Sequence, residues 1–202
     1  MLKLIPNILT FGRLVLTVLF LVMLLYVPYA NNKTPLIDAA FVIFVIAGLT
    51  DVVDGPVARK LKIETRFGRM LDPLADKVLV CGSFICFAVI REPEFLFDLS
   101  ERTMHIIRWS VAAILILREG YVTLIRHIAE AKGIDFRAVA SGKIKMLIQS
   151  FAIGTVMVKA AHVQTATWGH WFTAITFAIM LAVTVISGLS ATRRIPQNIS
   201  TQ

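Results

Sequence analysis

Six apolar stretches set the frame of this chain, at about residues 8–28, 36–57, 70–90, 106–125, 144–161 and 172–189. Each approaches the roughly 20 residues that an α-helix needs to cross the hydrocarbon core of a bilayer. The pattern predicts an all-α, polytopic membrane protein with six transmembrane helices. The first run follows Lys3, carries Arg13 near its start and ends without a small-x-small cleavage site. It therefore reads as a retained helix rather than a signal peptide. No internal repeat or low-complexity linker divides the chain, which reads as one domain over residues 1–202.

The polar gaps between these runs are unequal. The gap after the second run holds Arg59, Lys60, Lys62, Arg66 and Arg69, and the gap after the fourth holds Lys132, Arg137, Lys143 and Lys145. Lys3 precedes the first run, and Arg193 and Arg194 follow the last. The other gaps hold Lys33 alone, Arg91 and Arg102 among four acids, or no basic residue between His162 and His170. Basic residues collect in cytoplasmic loops. Six spans with both termini in the cytoplasm put all the dense basic segments on that side of the inner (cell) membrane.

Composition narrows the class. The chain is 57% hydrophobic and only 17% charged, with a mean hydropathy of +0.76. An ordinary soluble domain does not have this balance. The net charge of +8 sits in short loops, which fits anionic headgroups or substrates rather than nucleic acid. Cys81 and Cys86 have neither a disulfide framework nor metal-ligand spacing and read as small buried apolar residues. The four histidines form no paired metal signature and read as loop or interfacial residues.

One polar stretch, residues 51–76, lies between apolar runs and holds Asp51, Asp54, Asp72 and Asp76. Acids at the edge of membrane segments are costly and signal function. At about 3.6 residues per turn, Asp51 and Asp54 share a face at the end of the second helix. Asp72 and Asp76 share one at the start of the third, and the short link makes those helices expected neighbours. Four converging carboxylates repel unless a cation joins them. With oxygen ligands alone, that cation is Mg²⁺ or Mn²⁺ rather than zinc. Four carboxylates can hold two such ions about 4 Å apart, an arrangement suited to displacement at phosphorus. Gly55, Ala58 and Gly68 clear space beside them, Arg59 offers forked donors to a diphosphate, and Thr65 adds a hydroxyl. The plainer alternative pairs the acids with Arg59, Lys60, Arg66 and Arg69 in a solvated network. Four acids at this spacing, with small residues interleaved, favour the site.

The pattern Asp51-x-x-Asp54-Gly55-x-x-Ala58-Arg59, eight residues, then Gly68-x-x-x-Asp72-x-x-x-Asp76 resembles the signature of the CDP-alcohol phosphotransferases. Pro6-Asn7-x-Leu9-Thr10-x-x-Arg13, Arg118-Glu119 with Arg126, and Ser141-Gly142-Lys143-x-Lys145 with Gln149 resemble the phosphatidylglycerophosphate synthases within that family. The likeness spans about residues 4–190, with Val53, Pro56 and Met146 as departures. It implies transfer of a phosphatidyl group from CDP-diacylglycerol to sn-glycerol 3-phosphate, giving phosphatidylglycerophosphate and CMP. It implies that the four aspartates bind two metal ions, that Asp76 is the general base, and that Gly55, Ala58, Arg59 and Thr65 line the CDP site with a contact from Asn7. It also implies a homodimer.

The acceptor phosphate needs cations, and Arg118, Arg126, Lys143 and Lys145 are the candidates. A guanidinium inside an apolar run, such as Arg118, is costly without a role, whereas each lysine could be an ordinary helix-end anchor. No Ser, Cys or His stands out as a nucleophile, so direct displacement is expected. Sibling enzymes remain as alternatives, a cardiolipin synthase using phosphatidylglycerol or a transferase acting on inositol phosphate or serine. A metal-ion transporter and a non-catalytic scaffold are the alternatives of another class.

Overall fold

The computed structural model describes residues 5–61, 66–95, 99–131 and 140–199; for 5–10, 51–61, 66–73, 130–131, 140–141, 143 and 191–199 it describes the backbone alone. Among the described residues there are six long α-helices, one short 3-10 turn and no strand. They are α1 (Ile5–Tyr26), the turn Val27–Tyr29, α2 (Lys33–Leu61), α3 (Arg66–Ile90), α4 (Glu101–Ala131), α5 (Ala140–His162) and α6 (Thr167–Ile199). The helices close into a ring. α1 packs on α2 and α3, α2 on α5, α5 on α6, α6 on α4 and α4 on α3, with a lesser contact of α3 on α5 across the middle.

One neighbour differs from expectation. Among the described residues α2 and α3 share no principal contact, and α1 fills the space between them. α1 is suited to this, because Arg13 is the only charged residue along its length.

The packed interior joins Phe20 and Leu24 of α1, Phe44 of α2, Phe84 and Phe87 of α3, Leu115 of α4, Met157 of α5 and Phe177 of α6. Phe20 meets Phe44 at a ring-centroid distance of 5.4 Å, and Phe84 meets Phe177 edge-on at 5.8 Å. Ala40, Ala47, Ala112 and Ala152 are fully enclosed at helix contacts. Small residues there let helix backbones approach, the usual packing of membrane helices.

The distribution of polarity is inverted relative to a soluble bundle. Arg13, Thr17, Lys145, Gln149, Thr173 and Thr184 are buried. Leu117, Leu147 and Ile186 are 72%, 73% and 65% exposed. An apolar exterior around a polar interior is stable in lipid and unstable in water. Among the described residues four stretches are long and apolar enough to cross a membrane: Phe11–Tyr29, Lys33–Thr50, Ile144–His162 and Thr167–Ser190. α3 and α4 have the length, 25 and 31 residues, and carry the charges Asp76, Lys77, Arg108, Arg118, Glu119 and Arg126.

Helix ends follow local chemistry. α4 starts at Ser100, whose Oγ accepts from the Thr103 backbone N–H at 3.3 Å, a side-chain N-cap. α3 stops where Arg91 turns left-handed, φ 65°. The Glu92 N–H then donates back to the Phe87 carbonyl at 2.9 Å, the six-to-one bond of a Schellman ending. The loop that follows is pinned twice. Arg108 Nε donates to the Pro93 carbonyl at 3.2 Å, and His170 Nδ1 donates to the Glu94 carbonyl at 2.8 Å. His170 is therefore a buried structural residue rather than a loop or interfacial one, because the loop carbonyl needs a donor. His162 does lie exposed at its helix end, 2.8 Å from Asp38.

Candidate active site

Asp51 and Asp54 lie near the end of α2, and Asp72 and Asp76 near the start of α3. Gly55, Ala58 and Arg59 continue α2, Gly68 is in the first turn of α3, and Asn7 is in the first turn of α1. The side chains of Asn7, Asp51, Asp54, Ala58, Arg59, Asp72 and Lys143 lie outside the described residues, as does all of Thr65. Asp76 is described. It is a quarter exposed, and its Oδ1 receives Nη1 of the fully buried Arg13 at 3.3 Å. The carboxylate is thus fixed by a guanidinium from α1, which the sequence marked as a charge inside an apolar run and as the last position of Pro6-Asn7-x-Leu9-Thr10-x-x-Arg13, without a partner.

A second set of polar contacts begins beside Asp76 and continues in the interior. The next residue, Lys77, donates from Nζ to Thr123 Oγ1 at 2.6 Å. Thr123 in turn donates to the Glu119 carbonyl one turn back on α4, at 2.6 Å. The Glu119 carboxylate takes Arg118 Nη1 at 2.8 Å and closes an ion pair with Lys145 of α5. Arg118 Nη2 donates to Ser187 Oγ of α6 at 2.6 Å. Gly188 makes room for this guanidinium, because a Cβ there would stand 3.3 Å from Arg118 Cγ. Next to the cluster, Gln149 Nε2 reaches Thr184 Oγ1 at 3.4 Å.

Arg118 and Lys145, two of the four expected acceptor cations, are therefore brought together, and a single carboxylate holds both. Two cations and one anion leave the cluster with an excess positive charge in a low-dielectric interior, which favours a further anion. Arg126 does not join them. It lies about 12 Å further along α4 at about 1.5 Å per residue, half-buried, with a buried Nε that has no partner among the described residues. That position is on the way from the cation pair to the α2–α3 aspartates. Thr123 shares a face with Glu119 and Arg126 by its spacing, whereas the sequence reading passed over Lys77 and Ser187. Lys77 had a signal, a charge entering an apolar run, but stood in the shadow of Asp76. Ser187 had none.

Among the described residues no three His, Cys, Asp or Glu side chains are grouped for a metal. The donor set at 51, 54, 72 and 76 is carboxylate only. This chemistry suits a hard divalent cation and disfavours a soft one.

A helical membrane protein with a carboxylate-bearing site at one end and buried cations leading to it defines the class. The family model for CDP-alcohol phosphatidyltransferase matches residues 3–191, and the chain belongs to that family. It is 34% identical over 161 residues to the CDP-diacylglycerol–glycerol-3-phosphate 3-phosphatidyltransferase of Bacillus subtilis, covering 76% of each chain. It is 35% identical over 155 residues to the protein of the same name in Haemophilus influenzae, covering 76% of this chain and 75% of that one. It is 29% identical over 188 residues to a probable phosphatidylglycerophosphate synthase of Mycobacterium tuberculosis, covering 93% of this chain and 79% of that one.

Proposed function

We propose that this chain transfers the phosphatidyl group of CDP-diacylglycerol to sn-glycerol 3-phosphate, releasing CMP and forming phosphatidylglycerophosphate. The observation that carries this reading is the buried Arg118–Glu119–Lys145 cluster; one turn along α4 from Glu119, Thr123 takes Lys77, the residue after Asp76. The cluster supplies a seat for an acceptor phosphate on the helices that flank the base. Relatives bearing the glycerol-3-phosphate transferase name support the acceptor.

The chemistry follows from placement. The acceptor phosphate pairs with Arg118 and Lys145, with Arg126 and Lys143 nearer the aspartates. Its free hydroxyl then faces Asp76, which Arg13 holds in position and which takes the proton as the oxygen attacks. A new P–O bond forms to the phosphatidyl phosphorus, and the bond to the CMP oxygen breaks in line. Gly55, Ala58, Arg59, Thr65, Gly68 and Asn7 form the CDP-diacylglycerol site. Asp51, Asp54, Asp72 and Asp76 hold two divalent ions, Mg²⁺ or Mn²⁺. Bound there, the ions neutralise the diphosphate.

In this reading all six helices span the inner membrane, with both termini and the aspartates at the cytoplasmic face, and the chain works as a homodimer. α3 and α4 cross as spans whose charges face inward, away from lipid. The test is Asp76→Asn in purified protein. Turnover is lost while the protein stays folded in detergent, with a lower midpoint because Arg13 loses its counter-charge; retained turnover removes Asp76 as the base. A cardiolipin synthase would instead require phosphatidylglycerol as acceptor. A transporter would move metal without releasing CMP.

A further inference from the structure

At the end of the bundle opposite the aspartates, the structure holds a second polar cavity that the reaction does not use. It has a volume of about 200 Å³ and is lined by Lys33, Glu92, Glu94, Lys159 and Gln164 among apolar residues of α1, α3 and α5. Lys33 and Asp51 are separated by about 27 Å along α2, at about 1.5 Å per residue. This cavity is therefore not the seat of the donor's diphosphate.

Two of its groups lack what they need. Lys159 is only 4% exposed. Among the described residues no carboxylate makes an ion pair with it. A lysine at a helix end ordinarily extends its ammonium into water, and burying one unpaired is costly. Glu92 has a buried Oε2 with no hydrogen-bond partner. Burial pushes the Glu92 carboxyl up from its ordinary range, and Lys159 opposes this only in part. The loop carrying Glu92 and Glu94 is fixed by Arg108 and His170, so the cavity is built rather than incidental.

Lys159 also lines a second feature. It is one wall of a groove of about 430 Å³ between α2, α5 and α6, with Phe41, Phe151, Val158, Trp168 and Phe172. Phe151, Val158, Trp168 and Phe172 are exposed on the apolar exterior. Lys159 is thus the residue that the cavity, with Glu92, Glu94 and Lys33, and the apolar groove have in common.

We propose that this cavity and groove together bind one phospholipid with an amine-bearing headgroup, of the phosphatidylethanolamine class, in the leaflet opposite the active site. Its phosphate pairs with Lys159. Its ammonium enters the cavity toward Glu92 and Glu94, and an acyl chain lies in the groove. The two glutamates discriminate against headgroups that bring no positive charge, by like-charge repulsion. The assignment rests on the helices spanning the membrane and not on the acceptor chemistry.

Native mass spectrometry of the purified full-length protein tests it, with dioleoylphosphatidylethanolamine, dioleoylphosphatidylglycerol and chain-free glycerophosphoethanolamine as probes. The parent protein retains phosphatidylethanolamine at least fivefold over phosphatidylglycerol, and chain-free headgroup does not displace it. Lys159→Met lowers the retained lipid at least fivefold, and Glu92→Gln erases the preference between the two lipids. Lys159→Met removes a buried unpaired charge and keeps the stem, so it is expected to fold. Val158→Trp fills the groove from an exposed position and gives the same loss with the interior untouched. Parent-like retention in both variants overturns the site. Equal retention of the two lipids by the parent protein overturns the amine assignment, and displacement by chain-free headgroup overturns the groove. Turnover is no part of the readout, so the proposal stands or falls apart from the acceptor assignment.

Discussion

Glu119 is the residue on which the proposed acceptor site turns. Its carboxylate holds Arg118 and Lys145 at once. Without it, two cations would face each other in an apolar interior. Glu119→Gln is expected to raise the KM for sn-glycerol 3-phosphate by roughly tenfold or more, from the worth of hydrogen bonds to charged groups. The KM for CDP-diacylglycerol should stay within about twofold, since hydrogen bonds elsewhere are unaltered. An equal rise in both constants would assign Glu119 to general architecture. Arg118→Lys keeps the charge but cannot span Glu119 and Ser187 with one planar fork. It should raise the acceptor KM more than Ser187→Ala does, the latter costing one hydrogen bond from a charged donor, or roughly tenfold. Steady-state kinetics with each substrate varied in turn reads both. The charged members of this site were legible, because Arg118, Glu119 and Lys145 interrupt apolar runs. The hydroxyl members were not. A Thr or Ser in an apolar helix most often bonds its own backbone, as Thr155, Thr173 and Thr176 do here. Nothing in the sequence separates these from Ser187, and for Thr123 only its spacing from Glu119 and Arg126 does.

Helix number and approximate limits were readable, since apolar length reports a helix directly. Which helices touch was not. The short link between α2 and α3 suggested direct neighbours, whereas α1 lies against both among the described residues. Periodicity gives a buried face without saying what covers it. The same holds for charge. α4 carries more charge than a span facing lipid on all sides would, and it turns Arg108, Arg118 and Glu119 inward. Helix ends are a second test of the structure at this scale. Ser100→Ala removes the α4 cap and should cost about 1 kcal/mol, read as a lower unfolding midpoint with unchanged KM values. Arg91→Gly relieves the left-handed residue that ends α3. It should stabilise the protein by about 1 kcal/mol, and a lower midpoint would count against that ending.

Across the whole molecule, an apolar exterior encloses two sets of polar contacts, Arg13 with Asp76 and Lys77 through to Ser187, touching five of the six helices. This arrangement places buried charge where lipid cannot reach it and leaves both ends of the bundle polar. With the aspartates on the cytoplasmic side, Gln164→Cys should react with an impermeant maleimide on intact cells. His127→Cys, near the other end, should react only after permeabilisation. The reverse pattern would invert the topology. The central claim, phosphatidyl transfer to sn-glycerol 3-phosphate, is tested most directly by CMP release. Purified protein is supplied with CDP-diacylglycerol and Mg²⁺, and separately with sn-glycerol 3-phosphate, phosphatidylglycerol, inositol phosphate or serine. CMP is expected with sn-glycerol 3-phosphate, matched by an equal amount of phosphatidylglycerophosphate; release with another acceptor alone, or with none, would rule that transfer out.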